Sequence, residues 1–431
     1  MIIGSHSRSG SAARQVERVF GAFCIFFIAT SPLNNSYEIA AMMSGTLVAS
    51  ESLSGASAWT ATLTPVYIKA LKDVFLFATV LLACYACLRW PKKTRIFLAP
   101  PFLVLNVFLV LLLLTALYSF TFMPASIVLA GIRGYWSILF VYAGALFFAV
   151  GEERIYSILL IVFAIDFSFQ IIQFLTDVGY SVYFEHRSPG LFIIPATAGG
   201  FALLIHYVGI RMRSNAVKLV SIGSLLLSNS TTGLLCLIAY YVFSFRNKFK
   251  PKIVYYPIFA SGVLLTAAIV FENIGSITGR GGGATLSLLT RVGLIYAALT
   301  NWSSLIVGQG MGVATSQALL LDYSGARIAD NTFIGLLYNA GIVPAMLMLL
   351  FIVFSYRLFS NKLLYFQLLG YSMTTVVFEI NPVIQILLIF LGIQIGSRYA
   401  LNQGPRVVRS RLGQRRSSKQ SETLGGVART V

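Results

Sequence analysis

The sequence predicts an all-α integral membrane protein, and three observations carry that prediction. First, 57% of the 431 residues are hydrophobic and 11% are charged, with a mean hydropathy of +0.81, whereas soluble domains contain about 25% charged residues. Second, apolar runs of the roughly 20 residues that a transmembrane helix needs recur along the chain. Third, these runs do not alternate in polarity, as residues 96–120 illustrate. An outer-membrane barrel, built from alternating segments of about 10 residues, is therefore excluded.

Basic clusters orient the helices, because Lys and Arg collect in short cytoplasmic loops. Such clusters precede the first apolar run and recur at residues 89–95, 211–218, 246–252, 357–362 and 398–419. The runs between them predict about twelve spans with both termini inside: 19–36, 65–88, 96–119, 135–150, 157–175, 191–210, 219–230, 231–245, 253–271, 332–356, 363–379 and 381–398. Residues 1–398 thus form one polytopic domain, and the basic segment 399–431 is expected to be a disordered cytoplasmic tail.

One interval is too short for the topology. Lys218 and Arg246 are both predicted to be cytoplasmic, but the residues between them are too few for two full spans. A short helical hairpin that turns within residues 227–233 fits, and such a turn must face protein or water because it lies at membrane depth. The alternative is one ordinary span with an imperfect charge bias.

The largest outer segment covers about residues 271–331. It joins a Gly-rich stretch, 279–283, to an amphipathic stretch, 286–305, which predicts a helix lying at the membrane interface. No His, Cys, Asp and Glu cluster has metal-ligand spacing, so no metal or other cofactor is expected. The four cysteines fall inside predicted spans, where packing is their expected role.

Five arginines lie on the outer side, where the charge rule makes them scarce: Arg133, Arg187, Arg280, Arg291 and Arg327. Arg133 is expected to follow a short outer turn at residues 131–136. Each of them alone could extend to lipid phosphates. Together they suit a diphosphate, because a guanidinium stays charged and binds phosphate oxygens through a planar fork.

Asp330 complements these arginines, because it directly precedes an apolar run on the same side. Its carboxylate could accept a proton from a hydroxyl nucleophile. The structural alternative is that it caps the following helix. His186, beside Arg187, is a weaker candidate for the base.

The order of these features resembles the bacterial O-antigen polymerase (Wzy type) and O-antigen ligase superfamily, which includes exopolysaccharide polymerases. The similar segments are Arg187-Ser-Pro-Gly-Leu-Phe-Ile-Ile-Pro195, Ser228-Asn-Ser-Thr-Thr-Gly-Leu-Leu235, Arg291, Gly308-Gln-Gly-Met-Gly312 and Asp330-Asn331 ahead of Gly341. Two departures stand out. The turn has Asn229 or Thr231 where an arginine is common, and Asp330 stands where ligases tend to have His.

The resemblance implies a GT-C-like fold in the bacterial inner membrane that transfers glycans between polyprenyl-diphosphate carriers, with Arg187 and Arg291 holding diphosphates. It favours polymerisation of lipid-linked repeat units at the periplasmic face, without a cofactor. The expected partners are the polyprenyl-diphosphate-linked oligosaccharide, membrane lipids and, further, chain-length regulator and export proteins, with no nucleic acid. A ligase and a non-enzymatic flippase or transporter are the alternatives. Alternating access often uses matched halves or broken helices, and the sequence shows neither.

Overall fold

A computed structural model describes residues 5–44, 65–91, 93–176, 188–246, 302–315, 331–375 and 382–403, together with positions 293, 296, 300 and 318. Regular secondary structure within these residues is helical. The α-helices are α1 Ser5–Thr30, α2 Ser36–Met43, α3 Val66–Lys69, α4 Leu71–Arg89, α5 Pro100–Ser119, α6 Ala125–Tyr135, α7 Leu139–Leu146, α8 Glu153–Thr176, α9 Pro195–Arg211, α10 Asn215–Leu227, α11 Thr231–Arg246, α12 Trp302–Val307, α13 Thr332–Ala340, α14 Ile342–Leu358, α15 Lys362–Thr374 and α16 Val383–Gln403.

Six helical segments of the described chain are long and apolar enough to cross a membrane. They are Ala12–Ala41, Leu71–Arg89, Pro100–Ser119, Ala125–Leu146, Glu153–Thr176 and Val383–Ala400. Their outer surfaces are also apolar: on α5, for example, Val110, Leu113 and Leu117 are each more than half exposed. A row of large exposed aliphatic side chains suits contact with lipid and not with water. The chain is therefore a membrane-embedded helical protein.

Local sequence determines where several helices begin. Pro100 and Pro195 stand in the first turns of α5 and α9, where a missing N–H leaves no hydrogen bond unmade. Asn361 caps α15, with its side-chain oxygen accepting from the Leu363 N–H at 2.8 Å.

Helix α16 forms the centre of the bundle, with every residue from 382 to 396 buried. It packs closely on α7 because glycines face each other there. A Cβ on Gly144 would lie 2.5 Å from the Ile389 carbonyl oxygen, and one on Gly392 would lie 2.3 Å from the Val141 carbonyl oxygen. Small residues at such crossings let two backbones approach without a side chain between them.

The predicted hairpin is confirmed. Helices α10 and α11 are separated by a turn at residues 228–230, in which Asn229 has a positive φ of 44°. Ser228 and Ser230 are buried, and the turn packs on α9, where a Cβ on Gly199 would meet the Ser230 Oγ at 2.2 Å. The turn therefore faces protein, which is what non-helical backbone at membrane depth requires.

The outer turn predicted at residues 131–136 is wrong. Helix α6 starts at Ala125 after Pro124 and runs through Arg133, so the turn lies before Pro124. Gly131 suggested a turn, but its role is packing. A Cβ there would lie 2.5 Å from the Gly312 backbone nitrogen. A glycine that accommodates a distant segment and a glycine that forms a turn are identical in sequence.

The span predicted at 332–356 is interrupted. Helices α13 and α14 meet at Gly341, whose φ is +85°. A Cβ on Gly341 would lie 2.1 Å from the Ile306 carbonyl oxygen, so the break accommodates a neighbouring segment. In addition, α16 continues to Gln403, past the predicted tail boundary at 399. The span predicted at 253–271 and the tail beyond Gln403 lie outside the described residues, as does most of the predicted interfacial helix 286–305.

Candidate functional site

The described residues contain one of the six candidate site residues. Arg133 is described, whereas Arg187, Arg280, Arg291, Arg327 and Asp330 lie outside the described residues, as does His186. Their described neighbours in sequence, above all Ser188 and Asn331, show which part of the bundle these positions adjoin.

Arg133 forms a two-pronged ion pair with Asp73. Its Nε donates to Asp73 Oδ1 at 3.1 Å, and one terminal nitrogen donates to Oδ2 at 2.6 Å. Asp73 lies in the first turn of α4, and Arg133 lies within the apolar segment Ala125–Leu146. A charge in such a segment is costly unless it is paired. One hydrogen-bonding edge of the Arg133 guanidinium is thus already occupied by a carboxylate.

The helix that follows Asp330 is capped by Asn331. The Asn331 Oδ1 accepts from the backbone N–H groups of Phe333 at 2.8 Å and Ile334 at 3.2 Å. Its Nδ2 donates to the Met373 carbonyl oxygen at 2.7 Å. Asn331, and not Asp330, is therefore the residue that caps this helix.

A loop, Ser188–Ile194, directly follows Arg187 in sequence and contains one 3-10 turn, Gly190–Phe192. Asp166 of α8 accepts the Leu191 N–H at 2.7 Å, and Gln173 accepts the Gly190 N–H at 2.8 Å. Asn35 donates its side-chain N–H to the Leu191 carbonyl oxygen at 3.2 Å. Asp166 was not predicted from sequence, although an aspartate inside a long apolar run is a signal that could have identified it.

This loop contacts the second half of α8. Asp166 and Gln173, which bind it, lie 13 and 20 positions after Glu153 at the start of α8, which corresponds to about 20 and 30 Å along a helix axis. Helix α10 has 13 residues, a length of about 20 Å, and its last residue, Leu227, accepts a hydrogen bond from Ser188 at the start of this loop.

The loop, the hairpin turn, the start of α13 and the end of α15 contact one another. We term these four segments the junction: residues 188–194, 227–232, 331–332 and 373–375. The Ser188 N–H donates to the Leu227 carbonyl oxygen at 3.0 Å. The Thr232 hydroxyl donates to the Thr374 Oγ1 at 3.0 Å, and the Thr332 hydroxyl donates to the Thr375 carbonyl oxygen at 2.9 Å. Residues adjoining Arg187 and Asp330 are thus connected through one hairpin turn and the end of α15.

The loop Gly308–Thr315 contacts the last residues of α13, where the Gln309 N–H donates to the Tyr338 carbonyl oxygen at 2.6 Å. Its three glycines have φ values of 83°, 122° and 101°. Two further amides bind side chains: Met311 donates to the Ser119 Oγ and Ala314 donates to the Asn339 Oδ1, both at 2.8 Å. These three amides already have acceptors within the protein and are not free to bind a phosphate.

Comparisons with known proteins do not assign this chain to a family. No protein-family model matches the sequence, and no curated protein matches it.

Proposed function

We propose that this protein polymerises polyprenyl-diphosphate-linked oligosaccharide repeat units into exopolysaccharide or O-antigen at the periplasmic face of the bacterial inner membrane. The sequence resemblance described above motivates the proposal. The observation that supports it most is the junction, because residues adjoining Arg187 and Asp330 attach there although more than 140 positions separate them in sequence. The junction also contains the hairpin turn that resembles the family's Ser/Arg/Thr-Gly turn.

In the proposed reaction, a sugar hydroxyl of one lipid-linked unit attacks the anomeric carbon of a growing chain. A new glycosidic C–O bond forms, and the bond between the anomeric carbon and the diphosphate oxygen breaks. Asp330 takes the hydroxyl proton, and polyprenyl diphosphate leaves with the electron pair. Arg187 and Arg291 stabilise the charge that develops on the leaving oxygen, which is where electrostatic help is largest. Arg280 and Arg327 bind the carrier diphosphates.

Arg133 has a different part in this scheme. Because Asp73 already holds its guanidinium, Arg133 contributes to diphosphate binding only through its remaining N–H donors. The donor is activated by its diphosphate, so the energy of the new bond comes from the substrate. Membrane lipids surround the enzyme, and chain-length regulator and export proteins act with it.

The topology proposed for this enzyme is twelve spans in a GT-C-like fold, with both termini in the cytoplasm. Contacts between helix ends support this topology, because each contact joins residues assigned to the same side of the membrane. Lys93 contacts Glu17 on the inner side. The outer-side pairs are Asp73 with Arg133, Asn35 with Leu191 and Thr332 with Thr375. The basic clusters set which side is cytoplasmic.

A transporter or flippase is the competing proposal, since it would use outer arginines for binding alone. The break at Gly341 is a feature that discontinuous transporter helices share. Here, however, the break is filled by the Ile306 carbonyl and by the Gly308–Thr315 loop. A break packed with protein backbone leaves no space there for a substrate, which favours the polymerase. Glycan ligation to another acceptor would use the same diphosphate chemistry.

Replacing arginine with lysine tests the proposal. Arg187→Lys and Arg291→Lys should each abolish long surface glycan in a complemented deletion strain, because an ammonium lacks the planar fork that binds two phosphate oxygens. Arg246→Lys, at the opposite end of the hairpin, is the matched control and should leave chain length unchanged. Full-length polymer from both lysine variants at normal protein levels would contradict diphosphate binding by these residues.

A further inference from the structure

Asp166 is a buried acidic residue that has no part in the proposed reaction. It is fully buried in α8, inside the candidate span Glu153–Thr176. Neither ion pair found among the described residues includes it. Its oxygens instead accept the Leu191 N–H at 2.7 Å and the Gln170 side-chain N–H at 3.2 Å. An acidic side chain inside a membrane span is costly, so a specific role is expected of it.

The Asp166 carboxylate lies directly against the loop backbone at Gly190. Gly190 has a φ of +64°, and a Cβ there would lie 2.2 Å from Asp166 Oδ1. Gln173, about two helical turns further along the same face of α8, accepts the Gly190 N–H. Asn35 donates its side-chain N–H to the Leu191 carbonyl oxygen. Two N–H groups and one carbonyl of a short loop are therefore satisfied by three side chains.

These bonds are needed because the loop forms a single 3-10 turn, Gly190–Phe192, and packs against the candidate membrane span Glu153–Thr176. Backbone N–H and C=O groups left without partners in lipid cost several kcal/mol each. Helix α8 satisfies its own backbone, so it can offer side chains to another segment. The loop in turn connects to the hairpin turn through Ser188 and Leu227. Polar side chains on α8 thus fix the conformation of the loop, which is the part of the junction that adjoins Arg187 in sequence.

We infer that Asp166, together with Gln173 and Asn35, positions the proposed diphosphate site. They hold the loop Ser188–Ile194 in one conformation, and Arg187 directly precedes this loop in the sequence. This inference rests on the proposed function for its consequence, because the proposed ligand of Arg187 is the diphosphate of the lipid-linked substrate. Asp166 acts through the loop and contacts neither substrate nor leaving group.

Asp166 acts as a hydrogen-bond acceptor, and this distinguishes it from a general base. Asn offers an amide oxygen in nearly the same place, so Asp166→Asn keeps an acceptor for the Leu191 N–H. Asp166→Leu keeps the branching at Cγ but replaces both carboxylate oxygens with methyl groups, so it removes the acceptor. For a base, in contrast, Asn would be as damaging as Leu, because an amide takes no proton.

The test combines hydrogen exchange of the loop amides with polymerisation kinetics on polyprenyl-diphosphate-linked repeat units. In Asp166→Leu, losing the acceptor should speed exchange at Leu191 and raise KM by about tenfold or more, with kcat changed much less. Asp166→Asn should stay within about threefold of wild type in both. Tyr142→Phe, which removes a 2.5 Å hydrogen bond to Asn106 elsewhere in the bundle, is the matched control and should change neither.

Two results would overturn the inference: unchanged Leu191 exchange in Asp166→Leu, or an Asp166→Asn variant as inactive as Asp166→Leu. Failure of the proposed function has a separate signature, which is wild-type protein that does not lengthen the repeat units. Exchange at Leu191 is measured without substrate, so it decides whether Asp166 holds the loop in either case.

Discussion

Comparing Asp330 with Asn331 separates chemistry from stability at the start of α13. Asn331→Ala removes the cap that accepts from Phe333 and Ile334, and it also removes the donor to the Met373 carbonyl. Losing an N-cap side chain costs about 1 kcal/mol, and losing the hydrogen bond to Met373 costs about 1 kcal/mol more. The free energy of unfolding should therefore fall by about 2 kcal/mol in Asn331→Ala.

Asp330→Asn should give the opposite pattern. Because Asn331 already caps the helix, the change at position 330 should leave the free energy of unfolding within about 0.5 kcal/mol of wild type. Loss of a general base should slow polymerisation by roughly a hundredfold or more. The two quantities are measured by denaturant titration in detergent and by polymer yield from lipid-linked repeats.

Asn361→Ala provides the matched control. Asn361 caps α15 at the other end of that helix from the junction, with one bond to the Leu363 N–H. It should lose about 1 kcal/mol of stability and keep its activity. The reasoning about Asp330 is refuted if Asp330→Asn unfolds as easily as Asn331→Ala, or if it polymerises at the wild-type rate.

Two other predictions concern the ion pair and the topology. Arg133→Met should lower the amount of folded protein, because it leaves the Asp73 carboxylate without its partner, and adding Asp73→Asn should restore much of that protein. Immunoblots of membrane fractions measure the amount of folded protein. A double variant no more abundant than Arg133→Met would show that the two residues are not coupled. Reporter fusions should read cytoplasmic after Lys93 and Lys250 and external after Gly282, and an internal Gly282 would overturn the outer assignment of the arginines.

The membrane class and the hairpin were predictable because they follow from composition and distance. Apolar runs require helices in lipid whatever their neighbours are. The interval between Lys218 and Arg246 is too short for two full spans, so a turn inside it was the geometrical solution, and the turn occurs at residues 228–230.

The errors came from contacts between segments that are distant in sequence. Gly131 looked like a turn residue, but its lack of a side chain accommodates the Gly312 backbone. Gly341 interrupts a predicted span because the Ile306 carbonyl occupies the space beside it. Neither partner can be deduced from local hydropathy, since a glycine's neighbours depend on the tertiary structure.

The sequence predicts the outer arginines and Asp330 from the charge rule and from position along the chain. Of these residues, Arg133 is described and pairs with Asp73, whereas the others lie outside the described residues and stay predictions. Asp166 was missed because its role depends on a loop 25 residues later that folds back to it. An acidic residue within an apolar run was the available signal, and it gave the position without naming the partner.

Reconstituted polymerisation is the measurement that tests the central proposal most directly. Purified protein in liposomes, given only polyprenyl-diphosphate-linked repeat units, should build longer glycan chains without added nucleotide, added metal or a membrane potential. The energy for each new bond comes from the diphosphate leaving group, which the arginines stabilise. Repeat units that cross the bilayer but never lengthen would contradict the proposal and would identify the protein as a transporter of lipid-linked glycans.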